Sequence, residues 1–173
     1  MTTSLYDASI PVFVNALTNM RTWLDKAAAV KPEAELLEAR LASDMYPLVK
    51  QFQIASDAAK GTAARLVGDT PPSMADTEAS FAELRDRCDR TIAYLQGLDR
   101  ARFDGAATRP VELKLPNGQG WRFEGLAYLT GFGLPNFFFH VTTAYAILRA
   151  NGIELGKGDF LQHLGAPVQL EDA

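Results

Sequence analysis

The stretch LPNFFFHVTTAYAILRANG (residues 134–152) carries one charged side chain, Arg149, and one histidine, His140, in a run that is otherwise apolar or small and polar. At about 100° per residue, Leu134, Phe138, Val141, Tyr145 and Leu148 share one arc of a helix, and Phe137, His140, Ala144 and Ile147 share the adjoining arc. The spacing predicts a helix from about Pro135 to Arg149, stopped by Asn151 and Gly152. Two apolar arcs require burial on more than one side, inside a bundle or against a second subunit. The uncharged run extends back over residues 125–148, but Gly131, Gly133, Pro135, Asn136 and His140 interrupt it. A buried helix accounts for it better than a membrane span.

Three further seams fit around this helix. Ile10, Phe13, Leu17, Met20, Leu24 and Ala27 alternate steps of three and four, the pattern of a helix packed along another. KPEAELLEA (31–39) suits a short helical segment. A second seam runs Leu41, Met45, Leu48, Phe52, Ala55, Ala59, Thr62 and Leu66, with Ser43 or Asp44 as its cap, Pro47 in its first turn and an end near Gly68. GDTPPS (68–73) is a turn cluster, too short to lie between separate cores. Phe81, Leu84, Cys88, Ile92 and Leu95 make the third stripe, with Asp76 as its expected cap and Gly97 at its end. Cys88 falls on that stripe, the position of a packed thiol.

The period then changes. In RPVELKLPNGQGWRFEG (109–125), Val111, Leu113 and Leu115 alternate with Glu112 and Lys114, and Trp121 and Phe123 with Arg122 and Glu124, around PNGQG. This predicts a β-hairpin whose Val, Leu, Trp and Phe face lies against the helices, as a lid on the bundle end or as a pocket wall. The tail holds a short turn around residues 159–164 and frays from about 165. The fold class is all-α: a four-helix bundle with a small hairpin between the third and fourth long helices, the helices antiparallel neighbours apart from a crossover in the hairpin-bearing connection or between the first two.

Composition agrees with one soluble domain spanning residues 1–173. An apolar fraction of 47% against 22% charged is that of a globular chain, and a domain of this size hides roughly 70% of its unfolded surface. The net charge of −4 supplies no basic field for nucleic acid. Cys88, the single cysteine, cannot form an internal disulfide. With no basic leader in MTTSLYDASIPVFVNAL and no membrane span, the expected location is the cytoplasm. A phosphate loop, nucleophile elbow, paired-cysteine site or basic aromatic stripe is not found.

SLYDASIPVFVNALTNM (4–20), RLASDMYPLVKQFQIASDAAKGTAARL (40–66) and GFGLPNFFFHVTTAYAILRANGIELGKGDFL (131–161) together resemble, over nearly the whole chain, an uncharacterised bacterial family of domains of unknown function, grouped with the DinB/YfiT-like metalloenzyme superfamily. The resemblance implies an up-down-down-up bundle, often dimeric, in which many members hold a divalent metal through three histidines, one from the second helix and two a turn apart on the last. Three neutral imidazoles hold such an ion and leave a position open. This chain departs from that set. His140 matches the first histidine of the last-helix pair, Ala144 stands one turn on with Thr143 beside it, and the second-helix position falls at or near Gln53, a weak ligand for zinc or nickel. Asp57 lies nearly opposite the Phe52 seam and reads as solvated.

The pocket candidates are therefore His140, Gln53, Tyr145 and Trp121. His140 alone carries the metal reading, beside two other roles: a buried histidine bonded to a neighbour such as Tyr, Gln or a backbone carbonyl, and a pocket residue or base. Gln53 has the simpler role of an amide bonding across helices, His163 that of an exposed tail residue, and Tyr46 and Tyr128 those of core aromatics. Two functions follow. One is a dimeric small-molecule-binding or scaffold protein with a degenerate metal site, no cofactor, and a small apolar or amphipathic ligand held near His140. The other is a metal-dependent transferase or hydrolase acting on a small thiol-linked substrate, with zinc or nickel.

Overall fold

Pro47 decides where the second long helix begins. In the computed structural model, which describes residues 4–115 and 117–170, α3 spans Leu48–Val67 and Pro47 precedes it with extended backbone. A proline disfavours helical backbone in the residue before it, here Tyr46, so a helix cannot run through Leu41 and Met45 into Pro47. Neither Ser43 nor Asp44 caps it, and Leu41 is exposed. The Leu48 amide instead donates to the Ala39 carbonyl at 2.9 Å. At the other end the helix stops at Gly68, whose φ of 82° suits a residue without Cβ.

The other expected helices are α1 (Ile10–Ala28), the short α2 (Glu33–Glu38) and α4 (Phe81–Gln96). Ser80 rather than Asp76 caps α4: its Oγ accepts from the Glu83 amide at 3.1 Å, while the Glu83 carboxylate accepts from the Ala79 amide at 2.6 Å. The hairpin pairs β1 (Pro110–Lys114) with β2 (Gly120–Glu124) in the register Val111 to Phe123 and Leu113 to Trp121. Pro116 of its turn lies outside the described residues. Directly after β2 the chain winds through α5 (Gly125–Tyr128), a π-helical turn (Leu129–Gly133) and α6 (Leu134–Ala150), then closes with α7 (Lys157–Phe160) and a 3-10 turn at Gln162–Leu164. Residues 165–170 carry no helix or strand, and the last three residues of the tail expected to fray lie outside the described ones.

Side-chain pairs give the helix directions. Arg21 meets Asp89 and Asp25 meets Arg85, so α1 and α4 are antiparallel. His140 meets Gln51 and Gly133 lies on Thr62, so α3 and α6 are antiparallel as well. Gln53 and Ser56 instead meet Arg87 and Thr91 in the same order, and Phe13 and Trp23 meet Phe137 and Tyr145. The bundle thus runs up, down, down, up. The parallel α3–α4 pair departs from the expected antiparallel neighbours, and the connection that runs back along the bundle is residues 68–80, not the hairpin-bearing connection or the one between the first two long helices. Residues 68–80 return along the length of α3, about 30 Å, within the ~40 Å that segment spans when extended.

Phe13, Leu17 and Met20 of α1, Phe52, Ala55 and Ala59 of α3, Leu84 and Cys88 of α4, and Phe137, Val141 and Ala144 of α6 fill the core. Cys88 is 1% exposed and burial pushes its thiol up to about 12, the state of a packed, unreactive sulfur. On α6 the arc of Phe137, His140, Ala144 and Ile147 is buried throughout, while Pro135, Phe139 and Thr142 face outward. The hairpin meets the bundle only at its base. Val111 is buried and Phe123 packs on Tyr128 at 5.8 Å, but Leu113 is only half-buried and Trp121 is 53% exposed. Its anchorage is Gly125, where a Cβ would stand 2.0 Å from the Ala106 carbonyl oxygen. Backbone therefore docks on backbone there, and the outer half of the ribbon projects past the helices. Among the described residues no helix is long and apolar enough to cross a membrane.

Candidate functional site

His140 projects from α6 onto α3, and its partner is Gln51. Nδ1 lies 2.8 Å from Gln51 Oε1, and Gln51 Nε2 donates to the Tyr46 carbonyl at 2.9 Å. The Tyr46 carbonyl can only accept, so the Gln51 amide is oriented with its oxygen toward the ring, and Nδ1 must carry the proton. That leaves Nε2 with a lone pair. Burial disfavours the imidazolium and holds the His140 pKa below its ordinary value of 6.5. The result is a neutral, oriented imidazole, with the Phe139 ring edge-on at 5.1 Å.

Orientation of that kind also suits a metal ligand, but the other donors are missing. Ala144 stands one turn on, Thr143 Oγ1 donates to the Phe139 carbonyl at 2.7 Å, and the Gln51 amide is committed at both ends. Among the described residues no three His, Cys, Asp or Glu side chains are grouped to hold an ion. The residues around His140 do not fit a three-ligand metal centre.

Gln53, two residues along α3, points away from His140 toward α4. Its Nε2 donates to Glu78 Oε2 at 2.9 Å, and its buried Oε1 has no hydrogen-bond partner among the described residues. It belongs to a charge cluster around Arg87, whose side chain is fully buried. Arg87 donates to Asp57 at 2.7 Å, to Glu78 at 2.9 and 3.2 Å, and to the Ala75 and Gln53 carbonyls, with Asp76 at 3.1 Å. Lys60 and Lys50 complete the cluster through Asp57 and Asp76, at 2.7 and 3.0 Å. Asp57 is thus the half-exposed partner of two cations rather than a solvated carboxylate. Burial would raise the Glu78 carboxyl, but Arg87, the Glu78 backbone amide and Gln53 outweigh it and hold the group below its ordinary range. The cluster fastens residues 75–78 of the returning segment to α3 and α4. Arg87 falls between Leu84 and Thr91 at helical spacing, which is the one sign in the sequence that it faces inward.

A recess lies on the other side of α6. A cleft of about 260 Å³ opens between α1, α6 and the tail, lined by Val12, Asn15, Ala16, Asn19, Phe138, Phe160, Leu161 and His163. His140 is not among them, since it and Phe138 point about 160° apart on the helix. The tail histidine lines the recess instead. Tyr145 lies beside this region, its hydroxyl donating to the Leu155 carbonyl at 3.3 Å and its ring packing on Trp23 and Phe160. Trp121 sits on the outer hairpin. The four pocket candidates therefore stand in four separate surroundings, and only His140 keeps a polar partner across the α3–α6 interface.

Comparison with known proteins follows the same lines. A family model described as a domain of unknown function (DUF1993) matches residues 5–161. Among solved structures, a DinB family member protein from Shewanella denitrificans is 40% identical, with a TM-score of 0.83, over 97% of this chain and 96% of that one. No curated protein matches. The bundle is DinB-like, and the match of the family model over nearly all of the chain makes it a member of the DUF1993 family.

Proposed function

We propose that this chain is a homodimeric small-molecule-binding protein, with the cleft between α1, α6 and the tail as its binding site and a degenerate metal site at His140. The cleft carries the reading. Its walls are apolar at Val12, Ala16, Phe138, Phe160 and Leu161, and two amides, Asn15 and Asn19, with the His163 imidazole supply the few polar groups that orient a ligand. At about 260 Å³ it falls just below the roughly 300–1,000 Å³ of sites for drug-sized molecules. The ligand is accordingly small. No hydrolytic or transfer step follows from a single imidazole bonded to one amide. A cytoplasmic setting suits the one buried, unpaired cysteine.

The dimer reading rests on α6. Pro135, Phe139 and Thr142 give it an uncharged outer face, with Phe139 58% exposed. Light scattering should report a dimer at micromolar concentration, and Phe139→Glu a monomer of unchanged helicity. Wild-type protein that stays monomeric at high concentration rejects it. For the cleft, benzamide at millimolar concentration should produce saturable amide shifts around Ala16 and Phe138, and Ala16→Leu, which fills the recess, should abolish them. Shifts that persist in Ala16→Leu place binding elsewhere.

A further inference from the structure

We infer that residues 157–164 are a lid over this cleft, and that the site beneath takes small uncharged molecules carrying a hydrogen-bond donor on an apolar body. The ligand half of the inference rests on the cleft reading above; the lid itself does not.

Neither α7 nor the 3-10 turn after it contributes a buried residue. The segment is held from outside, by one face of α1. Asn19 Nδ2 donates to the Phe160 carbonyl at 2.8 Å and Trp23 Nε1 to the Asp159 carbonyl at 3.2 Å, while Thr22 Oγ1, which donates to the Asn19 carbonyl at 2.8 Å, lies 3.2 Å from the Gln162 side-chain amide. Lys26 pairs with Asp159 at 2.6 Å and reaches the Glu154 carbonyl at 3.4 Å. These four positions fall three and four residues apart, so a single stripe of α1 is given over to the segment, and two of its bonds go to main-chain carbonyls there. Asp159 also accepts from the Gly156 amide at 2.7 Å, which starts α7, and Gly165, at φ 68°, ends the segment. Phe160 wedges between Trp23 and Tyr145, at 5.7 and 5.9 Å. Phe160, Leu161 and His163 are at the same time the outer wall of the cleft. Fastening the segment and closing the recess are therefore one event.

A segment whose side chains are at most half-buried, held to one helix by a few hydrogen bonds and one ion pair, opens at lower free energy than the bundle it covers. The other walls are core helices, so this wall is the one that admits a ligand. The polarity of the cleft then selects what enters. No Asp, Glu, Lys or Arg lines it, its one titratable lining group is the exposed His163 of the lid, and a charge enclosed without a partner is strongly disfavoured. Asn19 is 3% exposed and commits its Nδ2 to the lid, while its Oδ1 takes no bond among the described residues. That oxygen is an acceptor for a ligand N–H or O–H.

Limited trypsin digestion of the full chain, with mass spectrometry following the cut after the exposed Lys157, reads the lid directly. Asp159→Ala removes the Lys26 pair and the Gly156 bond without touching the bundle; it should speed that cut about five- to tenfold, with the urea midpoint of the helices unchanged. Lys26→Ala should act in the same direction. With each rate corrected for the compound's own effect on trypsin cleavage of an unrelated peptide, benzamide should slow the cut in wild type, whereas benzoate and benzylamine, of the same size but charged, should not. Cleavage after Lys157 at the wild-type rate in both variants rejects the lid, whatever benzamide does. Faster cleavage in the variants with no protection by benzamide keeps the lid and rejects the cleft as a site for such ligands. Equal protection by all three compounds rejects the selection for uncharged molecules.

Discussion

His140 of α6 and Gln51 of α3 are joined at 2.8 Å, and the Gln51 amide passes the connection on to the Tyr46 carbonyl at 2.9 Å. Two helices and the loop ahead of α3 are thereby tied through one oriented amide. His140→Ala leaves Gln51 Oε1 without its donor in a buried setting and should lower stability by about 1 to 3 kcal/mol. His140→Gln restores a donor of similar reach and should cost less. Urea denaturation of both variants measures the difference; equal losses would mean that ring packing, not the hydrogen bond, is what matters. Zinc or nickel should leave the melting temperature of wild type and His140→Gln alike. Stabilisation that grows with the logarithm of metal concentration in wild type alone would restore the metal reading.

The same histidine sets a pH dependence. Because burial holds its folded pKa below 6.5, the folded protein binds this proton less readily than the unfolded chain does. Its contribution is complete above pH 6.5 and is lost as pH falls through the folded pKa. Wild type should therefore lose stability from pH 7 toward pH 5 more steeply than His140→Gln. Parallel profiles would show that His140 ionises without penalty and is open to water.

Much of this arrangement was legible in the chain. The seams of Phe13, Leu17 and Met20, of Phe52, Ala55 and Ala59, and of Leu84 and Cys88 all reach the core, because helical spacing of apolar residues is a local signal. What periodicity does not carry is direction. Nothing local says that residues 68–80 run back along α3, since that course is held by Glu78 and Asp76 meeting Arg87 from nine and eleven positions away. The site suffers in the same way. Gln51 and Gln53 look alike in sequence, and only the rotation of α3 assigns one to His140 and the other to Glu78.

The hairpin and the core should respond very differently to truncation. Phe52 is fully buried, and Phe52→Ala should cost about 3 to 5 kcal/mol, as large cavities do. Trp121 offers as large a ring but is 53% exposed beyond the bundle, so Trp121→Ala should change stability by less than about 0.5 kcal/mol. Thermal melts of the two variants suffice. A loss at Trp121 near that at Phe52 would mean that the outer hairpin face is covered in solution, with the second subunit as the obvious cover.

Arg87 carries a buried charge at the centre of the α3–α4 cluster. Its side chain is fully buried and that of Glu78 is 4% exposed, so removing either leaves the other charged, enclosed and short of a partner. Arg87→Met and Glu78→Gln should each cost about 3 to 5 kcal/mol, the usual consequence of breaking a buried pair. Because the Glu78 carboxyl is held below 4.5, its contribution is complete above that pH and is lost as pH falls through the lowered folded value. Acid unfolding should thus begin below about pH 4.5 in wild type, and Glu78→Gln should flatten that limb while lowering stability at neutral pH. The double variant Arg87→Met, Glu78→Leu removes both charges together and should recover much of the loss, although Asp57 and Asp76 then keep only Lys60 and Lys50. A single variant that loses less than about 1 kcal/mol would mean that water reaches the cluster, and residues 75–78 would then need another fastening to hold the parallel α3–α4 pair together.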